Sequence, residues 1–211
     1  MKTKQFIYLI ISTFLVVLFA CEGKKIDSRK FASEMKQRVP KRVTEGQIME
    51  EALTKGAMMV SKVEDEIKFK TLELSKTNPE KAAQWCNEAL YPVKDSLSMA
   101  YNTTIKRLIL KDTLLRGFVE NELLKAYLYA SQNKYPLESN LQNLKDGFIL
   151  YSSPIVLNSE PCNSCHQAGA KLNTQMKTLY PKSTVFNYKK GELMGMWSVK
   201  ISQKDLIIKM K

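Results

Sequence analysis

Apolar and polar positions recur with two periods along the chain, and the periods predict its elements. Leu53, Ala57, Val60, Val63 and Ile67 return at threes and fours, the spacing of an amphipathic helix over about 45–75. Thr44-Glu45-Gly46-Gln47 just before them has the S/T-x-x-E/Q form of a capping box. Asn78-Pro79 supplies an N-cap and a first-turn proline for a second helix running to about Leu90, before Pro92. Its apolar face is Ala82, Trp85, Cys86 and Ala89, at i, i+3, i+4 and i+7. Residues 101–110 are rich in β-branched and aromatic types and suit a strand, whereas Leu114 to Ala130 reads as helix. Asp146-Gly147 marks a turn, and Phe148 to Leu157 reads as a strand broken at Pro154. Near the end, Leu193, Gly195, Trp197, Val199 and Ile201 alternate with Met194, Met196, Ser198 and Lys200, the period of two of a half-buried strand. Helices in front and strands behind predict an α+β domain built on an antiparallel sheet.

The first residues carry a different signal. Lys2 and Lys4 precede an apolar run, Phe6 to Ala20, interrupted only by Ser12 and Thr13. Fifteen helical residues reach about 22 Å, short of the ~30 Å bilayer core, so residues 1–20 read as a signal peptide rather than a span. Leu18-Phe19-Ala20-Cys21 resembles the lipobox of bacterial lipoproteins, which makes Cys21 the expected lipidation site; the bland alternative is a signal anchor with an incidental cysteine. Residues 21–43 then form a basic tether, and 44–211 the folded domain. Loss of Lys2 and Lys4 lowers the net charge from +12 to +10, and the tether holds much of it, from Lys24 to Arg42. Such a stretch beside an anchor favours anionic head groups by about 1 kcal/mol per charge, although a plain solvated tether explains it equally well. Export argues against nucleic acid as a partner despite the basic balance. The expected location is the cell envelope, lipid-anchored and facing the periplasm.

Composition narrows the classes further. The 211 residues are 44% apolar and 26% charged, which excludes wholesale disorder and fits one domain with an appendage. No 20-residue internal apolar run exists, so a multi-pass membrane protein is excluded. A single histidine, His166, excludes most zinc hydrolases, which need two or three imidazoles.

That histidine belongs to Cys162-Asn163-Ser164-Cys165-His166, a C-x-x-C-H motif. The spacing has a specific chemistry: two thiols add across the haem vinyl groups, and the adjacent imidazole meets the iron. A zinc site needs four ligands, usually as two separated pairs; a thioredoxin-like pair belongs to a βαβ setting; a disulfide across two residues is strained. The motif therefore predicts one covalent haem c, held by Cys162 and Cys165 with His166 as proximal ligand. Of four cysteines this leaves Cys86. On a helical apolar face it reads as a small buried hydrophobe or as the sixth iron ligand, in competition with methionines such as Met194 and Met196.

Four segments together resemble a known family: Ala82-Ala83-Gln84-Trp85-Cys86, the C-x-x-C-H motif, Leu179-Tyr180-Pro181, and Tyr188 to Val199. It is a family of bacterial c-type haem proteins with a PAS-like domain and His/Cys axial ligation, long described only as a domain of unknown function, and the similarity covers roughly 45–201. The resemblance implies Cys162 and Cys165 as thioether links, His166 as proximal ligand and Cys86 as distal ligand. The chain departs from the family pattern at Met194, where the family tends to have arginine. It departs again at Arg107-Leu108-Ile109, where the family tends to an Arg-Asn-Pro run. No partner for the haem propionates is therefore assigned.

Three functions compete. A redox- or gas-responsive sensor module, not an enzyme, fits six-coordinate His/Cys iron, whose thiolate would leave on reduction or at acid pH and open a site for CO or NO. The 45 residues after His166 hold no output segment, so the signal would pass to a separate envelope redox or signalling partner. A periplasmic monohaem electron carrier is the alternative; small class I cytochromes, however, carry the motif near the start of the domain. A haem peroxidase needs an open distal side and a distal His or Arg, and the one histidine is already used.

Overall fold

The computed structural model describes residues 27–38, 42–85, 91–110, 117–158, 162–167, 169–170, 172–181 and 186–210. The expected signal peptide, residues 1–20, and Cys21 and Cys86 lie outside the described residues. Contacts divide the chain into Met1–Arg42 and Val43–Lys211. In the first unit α1 (Ser28–Arg38) is capped by Asp27, whose Oδ1 accepts from the backbone N–H of Arg29 at 3.0 Å and of Lys30 at 3.3 Å.

The second unit opens with α2 (Glu45–Thr77), α3 (Pro79–Trp85) and α4 (Pro92–Tyr101). The capping box is present: Thr44 Oγ1 accepts from Gln47 N, and Thr44 N donates to Gln47 Oε1. Asn78 Oδ1 caps α3 by accepting from Lys81 N at 3.0 Å, as the Asn-Pro pair predicts. The periodicity of α2 is real but its seam is offset. Leu53 and Ala57 are exposed, and the buried line runs through Ala52, Gly56, Met59, Val60 and Val63. The helix lies so near the sheet that small residues occupy the contact; a Cβ on Gly56 would strike the Tyr151 ring. The helix α4 was not legible in the expected pattern. It takes Tyr101 from the expected strand and ends at Asn102 in the left-handed region, φ 48°.

The sheet comprises β1 (Thr104–Ile109), β2 (Asn140–Asn143), β3 (Phe148–Val156) and β4 (Leu193–Ser202), all antiparallel, in the order β1-β4-β3-β2. Between β1 and β2 runs α5 (Phe118–Gln132). Between β3 and β4 come α6 (Cys162–His166) and α7 (Asn173–Leu179); α8 (Gln203–Met210) follows β4. The α+β class and antiparallel sheet are as the sequence predicts. Three details differ. First, β3 continues through Pro154, which pairs with Met196. On its other side β2 covers only Ile149 to Ser152, so proline sits where the missing N–H interrupts no β2 bond. Second, β4 is an inner strand buried on both faces, not half-buried. Trp197, Val199 and Ile201 join Ala52, Met59, Val60, Val63, Ile105 and Tyr151 beneath α2. Met196 joins Leu108, Leu124 and Tyr127 on the α5 face. Third, the alternation reverses at a bulge. Ile155 pairs with Gly195 but Val156 pairs with Leu193, so Met194 is the extra residue. Leu193 thus falls in with Met196 on the α5 face, and Met194 turns to the other side.

Candidate functional site

The spacing of the motif sets the geometry of α6. In a helical turn, Cys162, Cys165 and His166 stand at i, i+3 and i+4 and share one face. That face borders a cavity of about 930 Å³, lined by all three residues. The volume is at the upper end of the roughly 300–1,000 Å³ typical of small-molecule and cofactor sites. Cys165 and His166 are buried and Cys162 half-buried; no disulfide joins the cysteines.

Several bonds fix α6. Leu172 N donates to Ser164 O at 2.9 Å. The buried side-chain amide of Asn173 donates to Cys165 O at 3.3 Å and Gln167 O at 3.2 Å, satisfying carbonyls that the end of a short helix leaves open. Tyr188 N donates to His166 O at 3.1 Å, which ties the segment before β4 to the motif. The Tyr188 ring packs with Leu157, Met194 and Cys162, and burial first, then Glu192, pushes its phenol up to about 12. On the other side Cys165 packs with Ala82 and Ala83 of α3, with Leu172, and with Met176 of α7. Tyr180 OH donates to Gln84 O at 3.2 Å, joining the two helices again.

The opposite wall comes from α2 and the sheet. Glu64, Ile67, Lys68 and Thr71 line the cavity from α2 at i, i+3, i+4 and i+7. Arg107, Trp197 and Ser153 form one cross-strand row of the sheet and line it from below. Arg107 Nη1 donates to Tyr91 OH at 2.9 Å, and Trp197 Nε1 donates to Glu64 Oε1 at 2.9 Å. Burial raises the pKa of the Glu64 carboxyl, the indole bond works against the rise, and Asp65 adds to it. Both signs of charge meet here, Glu64 and Asp65 with Lys68 and Arg107.

Of the two methionines offered as axial ligands, Met194 lines the cavity and Met196 does not; Met196 is buried under α5. Met176 lines it too. The α2 and sheet residues were not anticipated. One signal existed for them: the apolar line of α2 gives way after Ile67 to Lys68 and Thr71 on the same face, a polar continuation that marks something other than core.

The family model described as Tll0287-like: Tll0287 matches residues 24–202. The chain belongs to the Tll0287-like family. A solved structure titled "Crystal structure of the cyanobacterial heme-protein Tll0287" is 18% identical, with a TM-score of 0.47, covering 68% of this chain and 92% of that chain. No curated protein matches the chain. Among the described residues, no helix is long and apolar enough to cross a membrane.

The residues present fit a haem. Two thiols and an imidazole face one cavity of cofactor size. Lys68 and Arg107 bring positive charge for a dianionic macrocycle, and the walls otherwise include Ile67, Ile109, Leu137, Ile155, Val156 and Met176. Thr71 also borders the cavity, although the residue is almost fully buried.

Proposed function

We propose that the chain binds one haem covalently, through Cys162 and Cys165 with His166 as proximal ligand, and acts as a sensor-like module of the cell envelope. The observation that carries the reading is the convergence of all three motif side chains on one cavity of about 930 Å³. When bound, haem would supply a redox-active iron. The chain's own residues would hold it: the thiols of Cys162 and Cys165 as covalent anchors, the His166 imidazole from α6, and the α2 and sheet walls around the rest.

Cys86 is the proposed distal ligand. Its support is the family resemblance together with the packing of the residues just before it: Ala82 and Ala83, four and three residues ahead, lie against Cys165 and Met176. A thiolate there would push electron density onto the iron and favour a low potential, and Cys86 released as a thiol on reduction or protonation would make room for a small gas. Anchoring through a lipidated Cys21, residence at the membrane facing the periplasm, an envelope redox or signalling partner and the lack of enzymatic turnover belong to the same proposal. They rest on the N-terminal sequence and on the single histidine.

The second reading is a monohaem electron carrier with a methionine as sixth ligand. It is favoured by the bulge that turns Met194 to the cavity. Electron paramagnetic resonance of the ferric protein, produced in cells that mature c-type cytochromes, separates the two. A His/thiolate low-spin signal lost in Cys86→Ala supports the sensor reading. A His/Met signal lost in Met194→Leu supports the carrier. A colourless preparation refutes both.

A further inference from the structure

The motif reaches the surface unevenly. Cys165 is buried and Cys162 half-buried, so the attachment edge comes nearer to solvent on the Cys162 side. There Cys162 packs against Leu157, Tyr188 and Met194. Tyr188 is also held to the motif through its backbone, which donates to His166 O at 3.1 Å. The next two residues, Lys189 and Lys190, are both exposed.

The turn that carries these lysines is closed by its own bonds. Gly191 adopts φ +84°, and its N–H donates to Leu157 O at 2.8 Å; Leu157 N donates to Glu192 O at 3.0 Å. Glu192, the acid of the turn, is engaged, since its Oε2 accepts from Lys189 N at 2.7 Å. From Glu160 to Glu192, the stretch that includes the motif, the sequence holds five lysines against those two glutamates. Exposed charge of one sign at the edge of a site raises the encounter rate of partners of the other sign. Lysine suits such a role, because its ammonium stays hydrated on a flexible stem.

We propose that the Lys189–Lys190 turn is the docking surface for a one-electron carrier protein with an acidic face, which exchanges electrons with the haem at its Cys162 edge. This rests on the haem reading above and gives the redox partner a chemistry. In the exchange the carrier's reduced centre loses one electron and ferric iron gains it to become ferrous; the lysines bond neither to the haem nor to its iron and move no proton. Charges at the rim of a contact act on encounter and its salt dependence.

The test compares the haem-loaded wild type with Lys189→Gln/Lys190→Gln and with Lys106→Gln/Lys204→Gln. The second pair removes the same charge from exposed positions on β1 and beyond the far end of β4. Stopped-flow absorption follows reduction of the ferric protein by a photoreduced, acidic plant-type ferredoxin. It also follows oxidation of the ferrous protein by hexacyanoferrate(III), an anion, and by tris(phenanthroline)cobalt(III), a cation. Expected in Lys189→Gln/Lys190→Gln at low ionic strength are rates about three- to ten-fold lower with ferredoxin and with the anion, and higher with the cation, all differences fading toward about 1 M salt. A changed driving force would move both oxidants the same way, whereas lost steering moves them oppositely. The Lys106/Lys204 pair should match the wild type. Should the double variant fail to mature, Lys189→Gln and Lys190→Gln singly should each show part of the effect. Unchanged rates, an equal loss in the Lys106/Lys204 pair, or lysines needed for binding phosphatidylglycerol vesicles but not for exchange would each overturn the proposal and leave haem attachment standing. A pyridine haemochrome assay without signal in the wild type would overturn attachment as well.

Discussion

Replacing Gly195 by alanine should destabilise the protein, whereas the same change at Gly46 should stabilise it. Gly195 lies on the inner strand β4, opposite Ile109, beside the bulged Met194. A Cβ there would overlap the carbonyl oxygen of Leu108 and lie 2.9 Å from Ile109 Cα. The obstacle is backbone, which no rotamer change can move, so β1 and β4 must part. Overpacking of this kind costs about 1–3 kcal/mol, and a fixed backbone obstacle puts Gly195 in the upper half of that range. Alanine recovers about 0.5–1 kcal/mol in lower unfolded-chain entropy. The net is a loss of about 1–2 kcal/mol, or roughly 2–8 °C in Tm for a chain of this size. At Gly46, near the start of α2, a Cβ meets nothing within 4 Å, so only the entropy and propensity gain of up to about 1 kcal/mol remains. Thermal unfolding followed by circular dichroism measures both. The cavity supplies a second readout, because parting β1 from β4 disturbs Met194 and Ile109, which line it; the haem absorption band of Gly195→Ala should therefore shift. A Gly195→Ala protein that melts at or above the wild-type temperature would refute the argument that strand approach, rather than chance, requires glycine there.

The remaining expectations concern single contacts. Glu64 has a pKa raised above its ordinary value of 4.5, chiefly by burial, so its ionised form is less welcome in the folded chain than in the unfolded one. Its cost to stability is absent at low pH and appears as pH rises from about 4.5 through the raised folded value. Glu64→Gln keeps an acceptor for Trp197 and should melt higher than wild type at pH 7, with the gap closing in acid; a gap that widens in acid would contradict the assignment. Thr44→Ala removes the capping box of α2 and should cost about 1 kcal/mol in denaturant unfolding, an effect that disappears if the cap is not formed. Cys162→Ala and Cys165→Ala should each leave a single thioether and move the pyridine haemochrome band to longer wavelength, while the double variant should lose haem to acid–acetone extraction. Haem retained by the double variant would refute covalent attachment at these sulfurs.

Local signals were readable in the sequence wherever a few neighbouring residues decide the outcome. The capping box at Thr44, the cap at Asn78, the turn at Gly147 and the grouping of Cys162, Cys165 and His166 at one cavity are of this kind. Gly147 adopts φ +80°, open to glycine and strained for others. What stayed hidden depends on distant partners. Nothing near Pro154 tells how far β2 extends along β3. Nothing near Leu193 tells that β4 lies between two other strands, or that one extra residue against Val156 reverses the alternation. The same limit explains why Met194 and Met196 were indistinguishable as ligand candidates: strict alternation assigns them to one face, and only the bulge separates them. Glu64, Lys68 and Thr71 were passed over because polar residues late in a helix usually mark a solvated face, and which face is solvated is decided by the sheet.

The cavity follows from a mismatch of lengths. At 33 residues α2 is about 50 Å long, whereas the longest strand, ten residues, spans about 34 Å. The first part of the helix presses on the sheet, close enough at Gly56 to require glycine against Tyr151. At Glu64 the gap is already spanned by a hydrogen bond to the long indole of Trp197 rather than by direct apolar packing. Beyond that point the helix has no strand of matching length to cover, and its facing residues become Lys68 and Thr71. The space is closed instead by α3, folding back along α2, and by the α6–α7 segment that carries the two cysteines and the histidine. A cofactor that bonds to this segment would fill the space left between helix and sheet, so its attachment and the packing of the terminal third of α2 should be energetically coupled.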